Sequence, residues 1–284
     1  MKQDTIVRRA RLMTWAAVAT LGVLARVRIS IARVIAFTFV GSVGIAHGAT
    51  DVDILERIGL APAGGKRTLS VAYGLLALTT FVIARRVPEL AGRALLGLSL
   101  WHFGSGDVAF ARACGSRVRG KCESVVRGTM PLFIAGTGRR SAAVATLAFA
   151  RAVAHVRDGE FADALDLALP AALLLAIPPR LGFAIYFGAW HSIRHTALLL
   201  ERDVRHGNGR ERALRFARES LPNVFIAVLS GAIAYALDRR KPAAGLMRPS
   251  RSNGRKDDVF GALILAITVP HQIAVTLFER HANP

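Results

Sequence analysis

Cysteine, aromatic residues and acidic groups are all scarce in this chain of 284 residues. The two cysteines, Cys114 and Cys122, sit in CGSRVRGKC. Two thiols without histidine at ligand spacing do not make a zinc site. They read as free thiols in a basic loop, and a disulfide stays open only if that loop faces an oxidising compartment. Aspartate and glutamate number 19 against 38 lysines and arginines, for a net charge of +19. A soluble protein so basic would point to nucleic acid, but no nucleic-acid motif accompanies the charge, so no nucleic-acid partner is expected. Alternation of apolar and polar residues at period two is missing, which argues against a β-barrel. Also absent are an internal repeat at fixed period and a dinucleotide-binding fingerprint.

What the chain has is oil. Hydrophobic residues make up 52%, and mean hydropathy is +0.38. Apolar runs cover 34–47, 69–84, 94–111, 141–154, 161–177, 181–200, 221–237 and 259–278. Several approach the ~20 residues that a bilayer-spanning helix needs. Helices satisfy their own backbone groups in lipid, so the expected fold is all-α, a polytopic transmembrane helical bundle with about seven or eight spans. The expected organisation is one integral membrane domain over 1–284, multi-pass in the cell's inner membrane. Residues 1–30 form a basic N-terminus with a short apolar segment at 12–25. VLARVR offers no clean small-residue cleavage site, so that segment reads as a retained anchor or surface helix.

Arginines gather between the runs, at 112–127, 202–218 and 239–256. These are loops that face anionic lipid and set orientation. Because nearly every loop is basic, orientation itself stays open. Residues 239–257 read as a flexible basic loop, 203–219 as a short surface helix, and Pro178–Pro179 as a tight connection between two spans.

Eight histidines divide into two groups. His155, His206 and His281 fall at span ends or in loops and are expected at the surface. His47, His102, His191, His195 and His271 lie in or beside apolar runs. Ionisable groups in a membrane are costly and face the bundle interior, where they pair, ligate or relay protons. His191 and His195, in YFGAWHSIRH, are four residues apart and share one helix face, so one metal can take both. His47 and His102 can each add an imidazole from another helix, and neutral imidazole suits Fe, Zn, Cu and Ni. Asp51 in HGATD and Asp107 in HFGSGD follow two of these histidines closely. A carboxylate there can orient a ligating ring or simply mark the polar end of a span. Gly48, Gly104 and Gly106 permit close helix approach.

Four stretches together resemble one family: GIAHGATD (44–51), LWHFGSGD (100–107), YFGAWHSIRH (186–195) and VPHQIAV (269–275). They look like the motifs of the bacteriorhodopsin-related protein and Brp-like protein (Brp/Blh) family of membrane β-carotene 15,15′-dioxygenases, which supply retinal to microbial rhodopsins. The resemblance spans roughly residues 40–278. One difference is visible: Ala46 stands where the family usually has proline before the first motif histidine.

The resemblance implies iron(II) held by His47, His102, His191 and His195. It implies Asp51, Asp107 and His271 around those ligands, and Trp101, Phe103, Tyr186 and Trp190 lining the substrate pocket. Its implied partners are β-carotene or a related carotenoid, O2, the lipid bilayer and, functionally, a microbial rhodopsin. Other classes remain open on the residues alone. They are a haem-bearing electron carrier, a di-metal desaturase or hydroxylase, a non-enzymatic carotenoid, rhodopsin-assembly or transport protein, and an oxygenase acting on another apolar polyene.

Overall fold

The computed structural model describes residues 6–57, 59–60, 64–118, 121–134, 139–203, 207–239 and 255–282. Among them every regular element is helical. In chain order these are α1 (Ile6–Val27), α2 (Ile29–Phe39), a π-helical turn (Val40–Gly44), α3 (Ile45–Ala49), α4 (Asp51–Arg57), α5 (Gly65–Arg86), α6 (Pro88–Ala113), α7 (Lys121–Thr129), a second π turn (Met130–Ile134), α8 (Arg139–Arg157), α9 (Phe161–Ala176), α10 (Pro179–Ile185), a third π turn (Tyr186–Ser192), α11 (Ile193–Glu201), α12 (Gly209–Arg239) and α13 (Arg255–Ala282). Four stretches are long and apolar enough to cross a bilayer: Ile6–Val27, Ile29–Glu56, Gly65–Arg86 and Ala262–Arg280.

The chain forms two compact units. The first comprises Met1–His47 and Ser99–Arg218, the second Gly48–Leu98 and Glu219–Pro284. In the first, α1 packs against α2, α9, α11 and the third π turn, and α8 lies along α9. The core between them is built from small and branched side chains, among them Val18, Ala32, Ala36, Ala148, Leu167, Ala171 and Ile185, all buried. Small residues let helix backbones approach closely in a setting where lipid is as apolar as leucine. Gly104 shows this at its limit: a Cβ there would run into the backbone carbonyl of Ser124 on α7. In the second unit α13 packs against α5 and α4.

Several expectations change at the element level. Residues 209–218 are not a separate surface helix but the first turns of α12, which runs on through Pro222 to Arg239. Asn208 caps it: its side-chain oxygen accepts the Glu211 N–H at 3.1 Å, while Glu211 accepts the Asn208 N–H at 3.1 Å. This reciprocal box is a strong helix start. Of the expected flexible loop 239–257, residues 240–254 lie outside the described residues, whereas Arg239 and 255–257 are helical. Pro179 opens α10 at its first turn, where a missing N–H costs nothing. Cys114 and Cys122 are both free thiols, and burial pushes the Cys114 thiol up to about 11.

Candidate metal centre

Four elements bring four imidazoles of the first unit together. His47 sits on α3, one turn after the π turn Val40–Gly44. His102 is on α6, His191 lies inside the π turn Tyr186–Ser192, and His195 is on α11. All four are buried, with 1% to 5% of their surface exposed. Every pair of their ring centroids lies between 4.7 and 6.3 Å apart. One ring nitrogen each from His47, His102 and His191 falls within 4.8 Å of the others. The Nε2 atoms of His102 and His191 are 2.9 Å apart. Two such nitrogens either share a proton or direct both lone pairs at one cation.

The donor set fits a metal. Imidazole–metal bonds of about 2.1 Å meeting at a right angle place their nitrogens about 3.0 Å apart, close to the observed separation. All four donors are neutral nitrogens, the set that suits iron, zinc, copper or nickel rather than calcium or magnesium.

Local backbone geometry positions the rings. A π turn holds one more residue than an α-helical turn and is uncommon outside functional sites. Two of the three described π turns adjoin the histidines, and these two pack on each other. They meet through Gly188, where a Cβ would sit 2.8 Å from Phe39 Cβ and 2.9 Å from Val40 N. Gly106 keeps α6 open beside His191: a Cβ there would lie 3.3 Å from His191 Cε1.

Aromatic rings wall the cluster. Phe103 is buried, with its centroid 4.8 Å from His191 and 5.7 Å from His102. Phe187 stacks on His191 at 6.3 Å and meets His47 edge-on at 5.7 Å. Phe183 stacks on Phe187 at 6.1 Å. Phe183 and Phe187 were not singled out from sequence, although both share the apolar run of His191. Trp101, expected in the pocket, lies on the outer face of α6 with 53% of its surface exposed. Residues two apart on a helix point about 200° apart, so Phe103 and Trp101 cannot both face the cluster.

Tyr186 and Trp190 are fully buried and tied to a carboxylate. The Tyr186 hydroxyl donates to Asp107 Oδ2 at 3.1 Å, and the Trp190 indole N–H donates to the same oxygen at 3.3 Å. On its other side Trp190 carries the Arg194 guanidinium, 3.4 Å from the ring centroid. Arg194 donates to Asp166 Oδ1 at 2.7 Å and to Thr14 Oγ1 at 3.1 Å. Asp166 also accepts from Arg11 at 2.8 Å and from the Trp15 indole at 2.8 Å, and Arg127 stands 4.0 Å away. This buried network was not anticipated. Its signal was available: Asp163 and Asp166 interrupt the apolar run FADALDLALP, and Arg194 interrupts another.

A second group capable of holding a cation, His155, Glu160 and Asp163, is already engaged by hydrogen bonds and ion pairs. His155 Nδ1 meets Glu160 at 2.9 Å and its Nε2 meets Glu123 at 3.2 Å. Asp163 accepts from Arg11 and Ser116, each at 2.6 Å. His155 is therefore not a surface histidine as expected; it is 4% exposed and ties the end of α8 to α7. His206 lies outside the described residues, and His281 falls in the last turn of α13. Burial works against the Glu123 carboxylate, but Arg127, His155 and Arg151 outweigh it and hold it below the usual range.

In the second unit, Asp51 and His271 pair with each other. Both Asp51 oxygens lie within 3.0 Å of His271 Nδ1, and the Tyr73 hydroxyl donates to Asp51 at 2.7 Å. A carboxylate on Nδ1 fixes the tautomer and leaves Nε2 as the acceptor. His271 follows Pro270, which removes one backbone donor inside α13.

Comparison with known proteins gives a consistent outcome. A family model described as Beta-carotene 15,15'-dioxygenase matches residues 38–141 and 136–279. A curated protein of Halobacterium salinarum, named "Probable beta-carotene 15,15'-dioxygenase Blh", is 26% identical over 151 residues. The aligned region covers 51% of this chain and 41% of that relative. No solved structure matches.

Proposed function

The chain belongs to the beta-carotene 15,15'-dioxygenase family, and from that premise we propose that it cleaves β-carotene at the central 15,15′ double bond with O2, giving two molecules of retinal. The observation that carries this reading is the buried set of four imidazoles, His47, His102, His191 and His195, walled by Phe103 and Phe187. Iron(II) in this site would supply the activation of O2. The balance needs no external reductant: one O2 and one double bond become two aldehydes. The catalytic residues in this reading are the four histidines.

The protein's own residues do the rest. The histidines supply four neutral nitrogen donors. Phe103, Phe183 and Phe187 offer ring faces and edges to a flat conjugated chain, and their apolar surface excludes water from the reacting bond. A polyene that dissolves in lipid reaches such a site from the bilayer. That route fits a multi-pass protein of the inner membrane with about seven or eight spans, in which shorter apolar helices such as α9 and the α10–α11 segment join the four long ones. Asp51 and His271 stand as supporting residues in the same reading, and a rhodopsin is the natural consumer of the retinal formed.

The test uses bacteria that make β-carotene. Expression of the intact chain should replace β-carotene by retinal in extracted pigments, and His191→Ala, inserted to the same level, should leave β-carotene intact. Unchanged pigment with the folded, iron-supplied wild type would reject β-carotene cleavage. Tight pigment binding without product would favour a non-enzymatic carotenoid carrier.

A further inference from the structure

The π turn Tyr186–Ser192 carries His191, and something must hold so uncommon a turn in register. Its backbone gains one local brace, the Ser192 hydroxyl donating to the Phe187 carbonyl at 2.7 Å. Its side chains gain another from a different helix. Tyr186, at the start of the turn, and Trp190, next to His191, both donate to one oxygen of Asp107. Asp107 is 1% exposed and stands on α6, five residues after His102. The α6 helix therefore meets the π turn at two places: His102 against His191, and Asp107 against Tyr186 and Trp190. Trp190 is further clamped on its face by Arg194.

We propose that Asp107 is a positioning residue for the metal centre, acting through Tyr186 and Trp190 to fix the π turn that aims His191 at His102. This rests on the four-histidine reading above and gives Tyr186 and Trp190 a different task from lining the pocket. They are struts. Asp107 accepts hydrogen bonds from these two side chains, so its effect on the metal passes through the turn. An ion pair to a bound cation is not needed. Loss of a hydrogen bond that orients a ligand typically costs 10–100-fold in metal affinity.

The test uses full-length protein in detergent, with Co(II) as the probe. Wild type should bind Co(II) with a visible absorption spectrum of nitrogen ligation. Asp107→Ala should weaken Co(II) binding by about 10–100-fold and shift that spectrum, and Asp107→Asn, which keeps one acceptor oxygen, should recover part of both. Tyr186→Phe should reproduce part of the loss, and adding it to Asp107→Ala should cost little more, because residues acting as one unit are non-additive. If Asp107→Ala does not fold, Asp107→Asn and Tyr186→Phe carry the comparison. Variants with wild-type affinity and spectrum would overturn the proposal, as would strictly additive losses for Asp107 and Tyr186. Failure of the wild type itself to bind Co(II) would instead remove the metal centre, and this inference with it. Retinal formation by the wild type tests the reaction separately.

Discussion

At the scale of single residues, the histidines were legible because imidazoles are conspicuous in apolar runs and costly there unless used. The charged network behind them was less so, because a lone Arg or Asp in such a run does not name its partner. Only the fold shows Asp166 of α9 meeting both Arg194 of α11 and Arg11 of α1. Asp166→Ala should destabilise the protein by about 3–5 kcal/mol, since it leaves the buried Arg194 guanidinium with only the neutral Thr14 hydroxyl, while Arg11 keeps Asp163. Thermal unfolding in detergent measures it, and a change within error would show that the carboxylate is dispensable. Glu123 adds a pH dependence. Its folded-state carboxyl titrates below the usual range, so the stability it contributes is present at neutral pH. That contribution is lost as pH falls from the ordinary glutamate value through the lowered one. Glu123→Gln should therefore be less stable than wild type at neutral pH, with the gap closing in acid. A gap constant across that range would contradict the assignment.

At the scale of elements, helix existence followed from apolar runs, but the π turns left no compositional mark. One extra residue in a turn changes hydrogen bonding without changing hydrophobicity. The helix-face reading of His191 and His195 survives this: their rings stack with centroids 6.1 Å apart. The same reasoning could have separated Phe103 from Trp101, because the buried positions of α6, from His102 through Phe103, Gly106 and Asp107 to Phe110, trace one face. Gly188 is the sensitive point where two π turns touch. Gly188→Ala would force a Cβ against Phe39 and Val40, and overpacking of this kind costs roughly 1–3 kcal/mol. The expected result is a lower melting temperature together with weaker metal binding. Unaltered metal binding would show that the π–π contact does not govern the site.

At the scale of the whole molecule, composition announced an all-helical membrane protein, and every regular element among the described residues is helical. Four stretches qualify as spans by length and apolarity. The shorter runs carry buried polar groups such as Asp163, Asp166 and Arg194, which lower their hydropathy while serving the interior. A count of seven or eight spans predicts that reporter fusions in successive basic loops alternate sides of the membrane. Fusions that place only four crossings would reassign the shorter helices to the surface or the protein interior.

In the proposed function four histidines hold one iron. Its most direct measurement is the iron content of anaerobically purified, detergent-solubilised protein, compared across His47→Ala, His102→Ala, His191→Ala and His195→Ala. About one iron per chain is expected in the wild type, as a single site of this donor set would hold, with its loss or marked weakening in each variant. Iron retained at wild-type level in all four variants, or no iron in a folded wild type, would contradict it.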